Sequence, residues 1–151
     1  MVEEQLETED NEDVYVLSKV ADVLHSLFVT YKADFFPMFD TLVGHFVRML
    51  GPERPWSDRQ WSLCVFDDVI EFGGPACIKY QEHFLGPILT SVQDKQPEVR
   101  QAAVYGCGIL GQCGGETFAG EWTIDSPLVA RFRRGSVFRS GHPLPLKKRT
   151  F

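Results

Sequence analysis

The most constraining feature of the 151-residue sequence is an internal repeat of 41 positions. Arg100 repeats Arg59 at this offset, and the Gly-Gly pair that begins at Gly114 repeats the pair that begins at Gly73. Mostly apolar residues match in between. A period of roughly 40–47 residues is typical of two-helix repeats that stack into a solenoid, because one helix pair cannot bury its apolar face alone.

Apolar residues recur at steps of three and four through the first 115 residues, which is the spacing of one face of an α-helix. No strand-like alternation interrupts this pattern. The sequence therefore predicts an all-α fold, an alpha-alpha superhelix of the HEAT or armadillo type with about two and a half repeats. The expected helices are 14–31, 58–72 and 97–113, called B helices here because they occupy equivalent positions, and the A helices 35–50 and 78–92 between them.

The two ends of the chain differ in charge from the repeats. Residues 1–13 contain seven acidic side chains and no Lys or Arg, whereas residues 131–149 contain seven basic ones and no Asp or Glu. We expect an acidic, flexible segment at 1–12, the solenoid at 13–118, and a basic tail of low order at 119–151. The net charge of −6 favours basic partners.

The four cysteines indicate the chemistry of the compartment. They are Cys64, Cys77, Cys107 and Cys113. They lie mostly within apolar helical patterns and include no Cys-x-x-Cys pair. This favours buried thiols in a reducing compartment over a disulfide or a metal site.

No signal-peptide pattern and no unbroken apolar run of about 18 residues is present. We expect no cofactor, and neither a membrane nor a nucleic acid as a partner.

One motif competes with the solenoid interpretation. Gly106, Gly108 and Gly111 satisfy Gly-x-Gly-x-x-Gly, which binds pyrophosphate when it follows a strand. Here it follows a helix opening at Pro97, and no acidic residue stands about 20 positions later. The sequence therefore favours glycines that allow close packing of a neighbouring helix over a nucleotide-binding loop.

No group of residues predicts catalysis. Asp67 and Asp68 are adjacent, so on a helix they diverge by about 100° and cannot act together on one substrate atom. His25, His45 and His83 stand singly in helical patterns, with no further ligand at metal spacing. We expect no enzymatic activity.

The repeated arginines predict a structural ladder. Glu53 precedes Arg59 by six positions, and Asp94 precedes Arg100 by the same six. We interpret these residues as acid–guanidinium contacts between stacked repeats, because the planar fork of Arg can bond a carboxylate and turn carbonyls together. The alternative is a set of unrelated surface charges that contribute little.

A binding surface is predicted on the middle B helix. Gln60, Cys64, Asp67 and Glu71 follow one helical stripe, with Asp68 beside it. Since B helices line the concave side of curved solenoids, these residues would face a groove and attract Lys- and Arg-rich cargo, with Trp56 or Trp61 offering an aromatic face to a cation. The alternative is a solvated helix face and a core tryptophan.

Several blocks of sequence resemble one protein family. They are Asp13–Val20, Arg54–Glu71 and Pro97–Ala103, of which Arg54–Glu71, containing Arg-Pro-Trp and Phe-Asp-Asp-Val-Ile-Glu, is the most specific. These blocks are similar to the importin-beta (karyopherin-beta) family, in particular to the C-terminal HEAT repeats of its subgroup of importin five and Ran-binding protein six. The resemblance covers about residues 1–118, and the tail departs from it.

The resemblance implies a function and a set of partners. Family members are nuclear import receptors that carry basic proteins through the pore, contact nucleoporins, release cargo when Ran GTPase binds, and shuttle between cytoplasm and nucleus. A full receptor is several times longer and binds Ran mainly through N-terminal repeats, so the resemblance implies a fragment of such a receptor. The alternative is a HEAT scaffold fragment that binds proteins without a transport role.

Overall fold

The chain is entirely helical over the residues that the structure describes. The computed structural model describes residues 2–116 and 118, and the side chains of 14–116 and 118. Six α-helices lie in this part: α1 Val2–Tyr31, α2 Phe36–Phe39, α3 Val43–Met49, α4 Trp56–Gly73, α5 Gln81–Ser91 and α6 Pro97–Cys113. Two 3-10 helices, Lys32–Phe35 and Gly74–Tyr80, precede α2 and α5. No strand occurs within these residues, and the predicted all-α fold of HEAT-like repeats is confirmed.

The helices form two layers, with α4 at the centre. The three long helices pack side by side, since α4 contacts α1 on one flank and α6 on the other. The short helices form the second layer, where α3 contacts α4, and α5 contacts both α4 and α6. This places the predicted B helices in one layer and the predicted A helices in the other.

A row of buried phenylalanines connects the repeats. The ring centroids lie 5.2 Å apart for Phe28 and Phe39, 6.3 Å for Phe39 and Phe66, 6.2 Å for Phe66 and Phe84, and 6.1 Å for Phe84 and Phe118. All five side chains are at most 1% exposed. Each favourable aromatic pair adds roughly 0.5–1.5 kcal/mol to the effect of burial, so this row binds the elements into one core.

The first helix is longer than the sequence pattern predicts. It begins at Val2 and continues without interruption to Tyr31, so it includes residues 2–12 of the segment that we expected to be flexible. Acidic residues near a helix N-terminus interact favourably with the helix dipole, and Glu and Gln have high helix propensity. Neither effect requires an apolar face, which is why the apolar pattern alone placed the start near residue 14.

The A helices are less regular than predicted. The expected helix 35–50 consists of α2 and α3, which a turn at 40–42 separates. The amide nitrogens of Thr41 and Leu42 donate to carbonyls three residues earlier, and the Thr41 hydroxyl also donates to the Met38 carbonyl at 2.7 Å. These tighter bonds replace the α-helical pattern at that point. The expected helix 78–92 likewise begins as the 3-10 helix Gly74–Tyr80.

The predicted basic tail, 119–151, lies outside the described residues.

Candidate protein-binding surface

The repeated arginines lie at the junction between α4 and α6. Arg59 on α4 donates from Nη1 to Asp94 Oδ2 at 2.6 Å and from Nη2 to Asp94 Oδ1 at 3.4 Å. Asp94 stands just before α6, where its Oδ1 also accepts from the amide of Gln96 at 2.9 Å. Arg100 donates from Nη1 to the carbonyls of Asp94 and Lys95 at 2.8 and 2.9 Å. This junction therefore combines a carboxylate with turn carbonyls.

Glu53 does not join this junction. It is exposed in the connection before α4 and forms no ion pair within the described part of the chain. Instead, Arg54 donates to Asp58 Oδ2, at 2.9 Å from Nε and 2.5 Å from Nη2. Asp58 is 8% exposed in the first turn of α4, so this pair fixes the long connection to the beginning of the helix.

Asp67 and Asp68 do not line an open groove, which corrects the prediction from the helical stripe. They are 4% and 5% exposed. Asp68 Oδ1 lies 3.0 Å from Nδ1 of His25 on α1, whereas Asp67 lies beside Gly106 on α6. The physical reason is that α1 and α6 cover both flanks of α4, so a carboxylate on either flank is enclosed by a neighbouring helix.

Glu71 remains partly exposed and is held by the next B helix. The Tyr105 hydroxyl on α6 donates to Glu71 Oε2 at 2.7 Å. Burial raises the pKa of Tyr105 above its usual range, and the hydrogen bond to the Glu71 carboxylate raises it further. This phenol therefore stays neutral at physiological pH and remains a donor that orients Glu71.

Gln60, the first residue of the predicted stripe, and Trp56, the predicted aromatic contact, lie near the N-terminal end of α4. Gln60 is partly exposed, and the Trp56 residue is 37% exposed. The accessible part of the predicted surface is therefore formed by Trp56, Gln60 and Glu71, whereas Asp67 and Asp68 serve the packing of the layer. Over residues 14–116 the chain carries twelve acidic and eight basic side chains, an excess that favours basic ligands.

One polar junction in the second layer was missed from the sequence. Asp40, after α2, accepts from Lys79 Nζ at 2.5 Å and from the Tyr80 hydroxyl at 2.7 Å. The Phe36 carbonyl shares the same hydroxyl hydrogen as a second, longer acceptor at 3.2 Å. The hydrogen bond from Lys79, followed by that from Tyr80, lowers the pKa of Asp40. The partners are 39 and 40 positions from Asp40, so a search for polar pairs one repeat apart would have found them.

The glycine-rich motif lies inside α6. Gly106, Gly108 and Gly111 are helical residues, so the competing nucleotide-loop interpretation is wrong. A Cβ at Gly106 would lie 2.5 Å from Asp67 Oδ1 and 3.1 Å from Ile88 Cδ1. The absence of a side chain at Gly106 thus permits α6 to approach α4 and α5 closely.

The four cysteines are free thiols in this structure. Burial raises the pKa of Cys77 to about 11 and that of Cys107 to about 12.

Within the described residues, no group of His, Cys, Asp and Glu side chains is arranged to hold a metal ion. Over the same residues, no helix combines the length and the apolar character needed to cross a bilayer.

The fold and these junctions define a fragment of an all-α array of HEAT-like repeats. The family model for Importin repeat 6 matches residues 1–52, which include α1, α2 and α3. A curated relative, a probable importin-5 homolog of Dictyostelium discoideum, is 24% identical over 117 residues. These residues are 77% of this chain and 11% of the relative, so the chain spans about one ninth of that protein's length. Part of the chain is thus similar to an importin repeat, and most of it is similar to a segment of an importin-5 homolog.

Proposed function

We propose that the chain is a protein-binding part of a nuclear import receptor that contacts basic segments of cargo proteins. The observation that carries this proposal is the Importin repeat 6 match over residues 1–52, the part that forms α1 and the short helices after it. The similarity to the importin-5 homolog supports the same class of protein. In the whole receptor, Ran would control cargo release, nucleoporins would be transient partners, and the protein would shuttle between cytoplasm and nucleus.

The cargo-binding residues we propose are the accessible ones on α4. Glu71 supplies a carboxylate that Tyr105 orients, Gln60 supplies an amide on the same stripe, and Trp56 offers a ring face to a Lys or Arg side chain. Asp67 and Asp68 add negative potential from beneath this surface without touching the ligand. The proposed contact is therefore electrostatic and sensitive to salt.

The test is binding of a fluorescent basic nuclear-localisation peptide, measured by anisotropy at low and high salt after a circular dichroism melt has shown that the chain folds. We expect Glu71→Gln and Trp56→Ala to weaken binding at low salt. Glu82→Gln on α5 is the matched control, since it removes an exposed carboxylate from the other layer. Peptide binding that is absent, or that Glu82→Gln weakens as much as Glu71→Gln, would contradict the proposed surface.

A second candidate is a HEAT scaffold fragment that binds other proteins without a transport role. It is favoured by three exposed apolar residues on α1, Val16, Val20 and Val23, which are 56%, 43% and 60% exposed and follow one stripe. Sedimentation of the wild type and of the triple Ser variant would separate the two candidates. Self-association that the triple variant abolishes, together with no salt-sensitive peptide binding, would favour the scaffold.

A further inference from the structure

The contacts of α1 fix its orientation around its own axis. His25 faces α4, since its Nδ1 lies 3.0 Å from Asp68 Oδ1 and its ring centroid lies 5.4 Å from that of Phe72. Phe28 faces the second layer, where its ring centroid lies 5.2 Å from that of Phe39. Among the long helices of the described part of the chain, α1 packs on α4, whereas α4 packs on α1 and on α6.

The face of α1 that points away from α4 is apolar. At about 100° per residue, four residues lie about 140–180° around the helix axis from His25: Val16, Val20, Val23 and Leu27. The three valines are 56%, 43% and 60% exposed, and Leu27 is half-buried. This face, called the α1 flank here, has the spacing of a packing face, but no helix of the described residues covers its valines.

The corresponding face of α6 carries glycines. Gly106 marks the side of α6 that meets α4, because a Cβ there would lie 2.5 Å from Asp67 Oδ1. Three residues lie about 140–160° around the axis from Gly106 and therefore point away from α4: Val104, Gly108 and Gly111. A Cβ at Gly108 or Gly111 would meet no described atom within 4 Å. These three residues are called the α6 flank.

The two flanks are complementary in spacing and in bulk. The three valines of the α1 flank and the three residues of the α6 flank both follow i, i+4 and i+7. Branched side chains on one helix and glycines on the other permit a close approach of the two axes. The chain already uses this device at Gly106, where α6 packs on α4 beside the Asp67 side chain.

We propose that copies of this chain associate head to tail, with the α1 flank of one copy packed on the α6 flank of the next. The contact continues the side-by-side packing of α1, α4 and α6 that the fold already contains. Because it joins two different surfaces, each added copy presents a new free flank, and the array does not close at a dimer. The inference goes beyond both candidate functions and does not rest on cargo binding.

The forces in this contact distinguish it from the proposed peptide binding. None of the residues that form the two flanks is charged. Burial of their apolar surface should therefore hold the copies together at high salt as well as at low salt. Peptide binding to Glu71 on α4, in contrast, should weaken as salt is added.

The test is sedimentation velocity of the full chain over a range of concentrations, with Val20→Glu on the α1 flank and Gly108→Glu on the α6 flank. The wild type should form species that grow beyond a dimer as the concentration rises. Each substitution buries a carboxylate in the contact, so neither variant should associate with itself. A mixture of the two variants should form one-to-one dimers and nothing larger, because each variant retains the flank that the other has lost.

Val29→Glu is the matched control. Val29 is 44% exposed, close to the 43% of Val20, and at nine residues along α1 it points to the opposite side of the helix. Val29→Glu should associate as the wild type does. Circular dichroism melts should show that every variant is folded, and Gly111→Glu replaces Gly108→Glu if that variant is not.

Four results would overturn the proposal. They are a wild type that stays monomeric, a mixture of the two variants that stays monomeric, a loss of association in Val29→Glu, and self-association of the folded α6-flank variant alone, which would indicate a contact between two α1 flanks. None of these results decides the peptide-binding proposal, because Trp56, Gln60 and Glu71 on α4 are unchanged in every variant.

Discussion

Arg59 binds both carboxylate oxygens of Asp94 across the boundary between two repeats, 35 positions further along the chain. The side chains are 19% and 10% exposed, so water competes little for this pair. Asp94 also accepts the amide of Gln96 at the beginning of α6. One carboxylate thus fixes both the neighbouring repeat and the turn that leads into the last B helix.

Replacing Asp94 by Asn should destabilise the fold. The variant keeps an oxygen for the Gln96 amide but removes the charge opposite a largely buried guanidinium, which costs about 1–3 kcal/mol. A double-mutant cycle with Arg59→Gln, followed by urea unfolding, measures the coupling between the two residues. We expect a favourable coupling of about 1 kcal/mol or more.

The matched control is the exposed pair of Lys19 and Asp22 on α1. Its atoms are 3.6 Å apart, and its side chains are 57% and 43% exposed. Asp22→Asn should therefore change the free energy of unfolding by less than about 0.5 kcal/mol. Equal losses for Asp22→Asn and Asp94→Asn would show that the junction between repeats contributes no more than an ordinary surface pair.

Two glycines of α6 should respond in opposite ways to Ala. Gly106→Ala would place a methyl group 2.5 Å from Asp67 Oδ1 and 3.1 Å from Ile88, so the contact between α4, α5 and α6 must shift. Overpacking of this kind costs about 1–3 kcal/mol, which exceeds the gain in helix propensity. Gly108 has no atom within 4 Å of such a methyl group, and Gly108→Ala should stabilise α6 by about 0.5–1 kcal/mol.

Chemical denaturation of the two variants checks this pair of expectations, because both carry the same substitution two residues apart in one helix. A similar stabilisation in both would mean that Asp67 and Ile88 move aside freely. The close approach at Gly106 would then have no energetic importance.

The helices were predictable from the sequence because their causes are local. Apolar spacing located α4 and α6 to within about two residues of their bounds, and the Gly-Gly pairs marked their ends. The 41-position offset also selected Glu53, Arg59, Asp94 and Arg100. The structure pairs Arg59 with Asp94 across the repeats, whereas Glu53 lies outside that junction. What a repeat shares with the next repeat is visible in a single sequence.

The burial of Asp67 and Asp68 was not predictable in the same way. A helical stripe shows which residues share a face of their own helix, but it does not show how deeply α1 and α6 cover that face. The partner of Asp68, His25, lies 43 positions away and looked like an isolated histidine. Asp40 and Tyr80 also contact each other at a separation close to one repeat length. Pairs of polar residues at that separation would therefore indicate which carboxylates are held by a neighbouring repeat.

Ser62 is a buried hydroxyl whose removal should not harm the fold. It is fully buried in α4, and its oxygen has no hydrogen-bond partner within the described part of the chain. A buried polar group without a partner opposes folding, so Ser62→Ala should leave the free energy of unfolding unchanged or raise it by up to about 1 kcal/mol. A loss of more than about 1 kcal/mol in urea unfolding would contradict this account, since it would require a bond to the hydroxyl.

Tyr80 should make the fold sensitive to alkaline pH. Burial raises the pKa of its phenol well above the ordinary range, and the hydrogen bond to the Asp40 carboxylate raises it further. Since the unfolded phenol has a pKa of about 10, the stabilisation from neutral Tyr80 is complete below pH 10 and is lost as the pH rises towards the folded-state pKa. The loss amounts to at most about 1.4 kcal/mol per pH unit.

Tyr80→Phe therefore has an effect that depends on pH. At pH 7 the variant should be less stable by about 1 kcal/mol, because the hydroxyl bonds to Phe36 and Asp40 are gone. Above pH 10 the difference should shrink, since the wild type alone must keep a buried phenol protonated. Urea unfolding at pH 7, 10 and 11 measures this, with Tyr31→Phe as the control because Tyr31 is 55% exposed. A constant difference between wild type and Tyr80→Phe across this range would show that the Tyr80 hydroxyl does not titrate differently in the folded and unfolded chain.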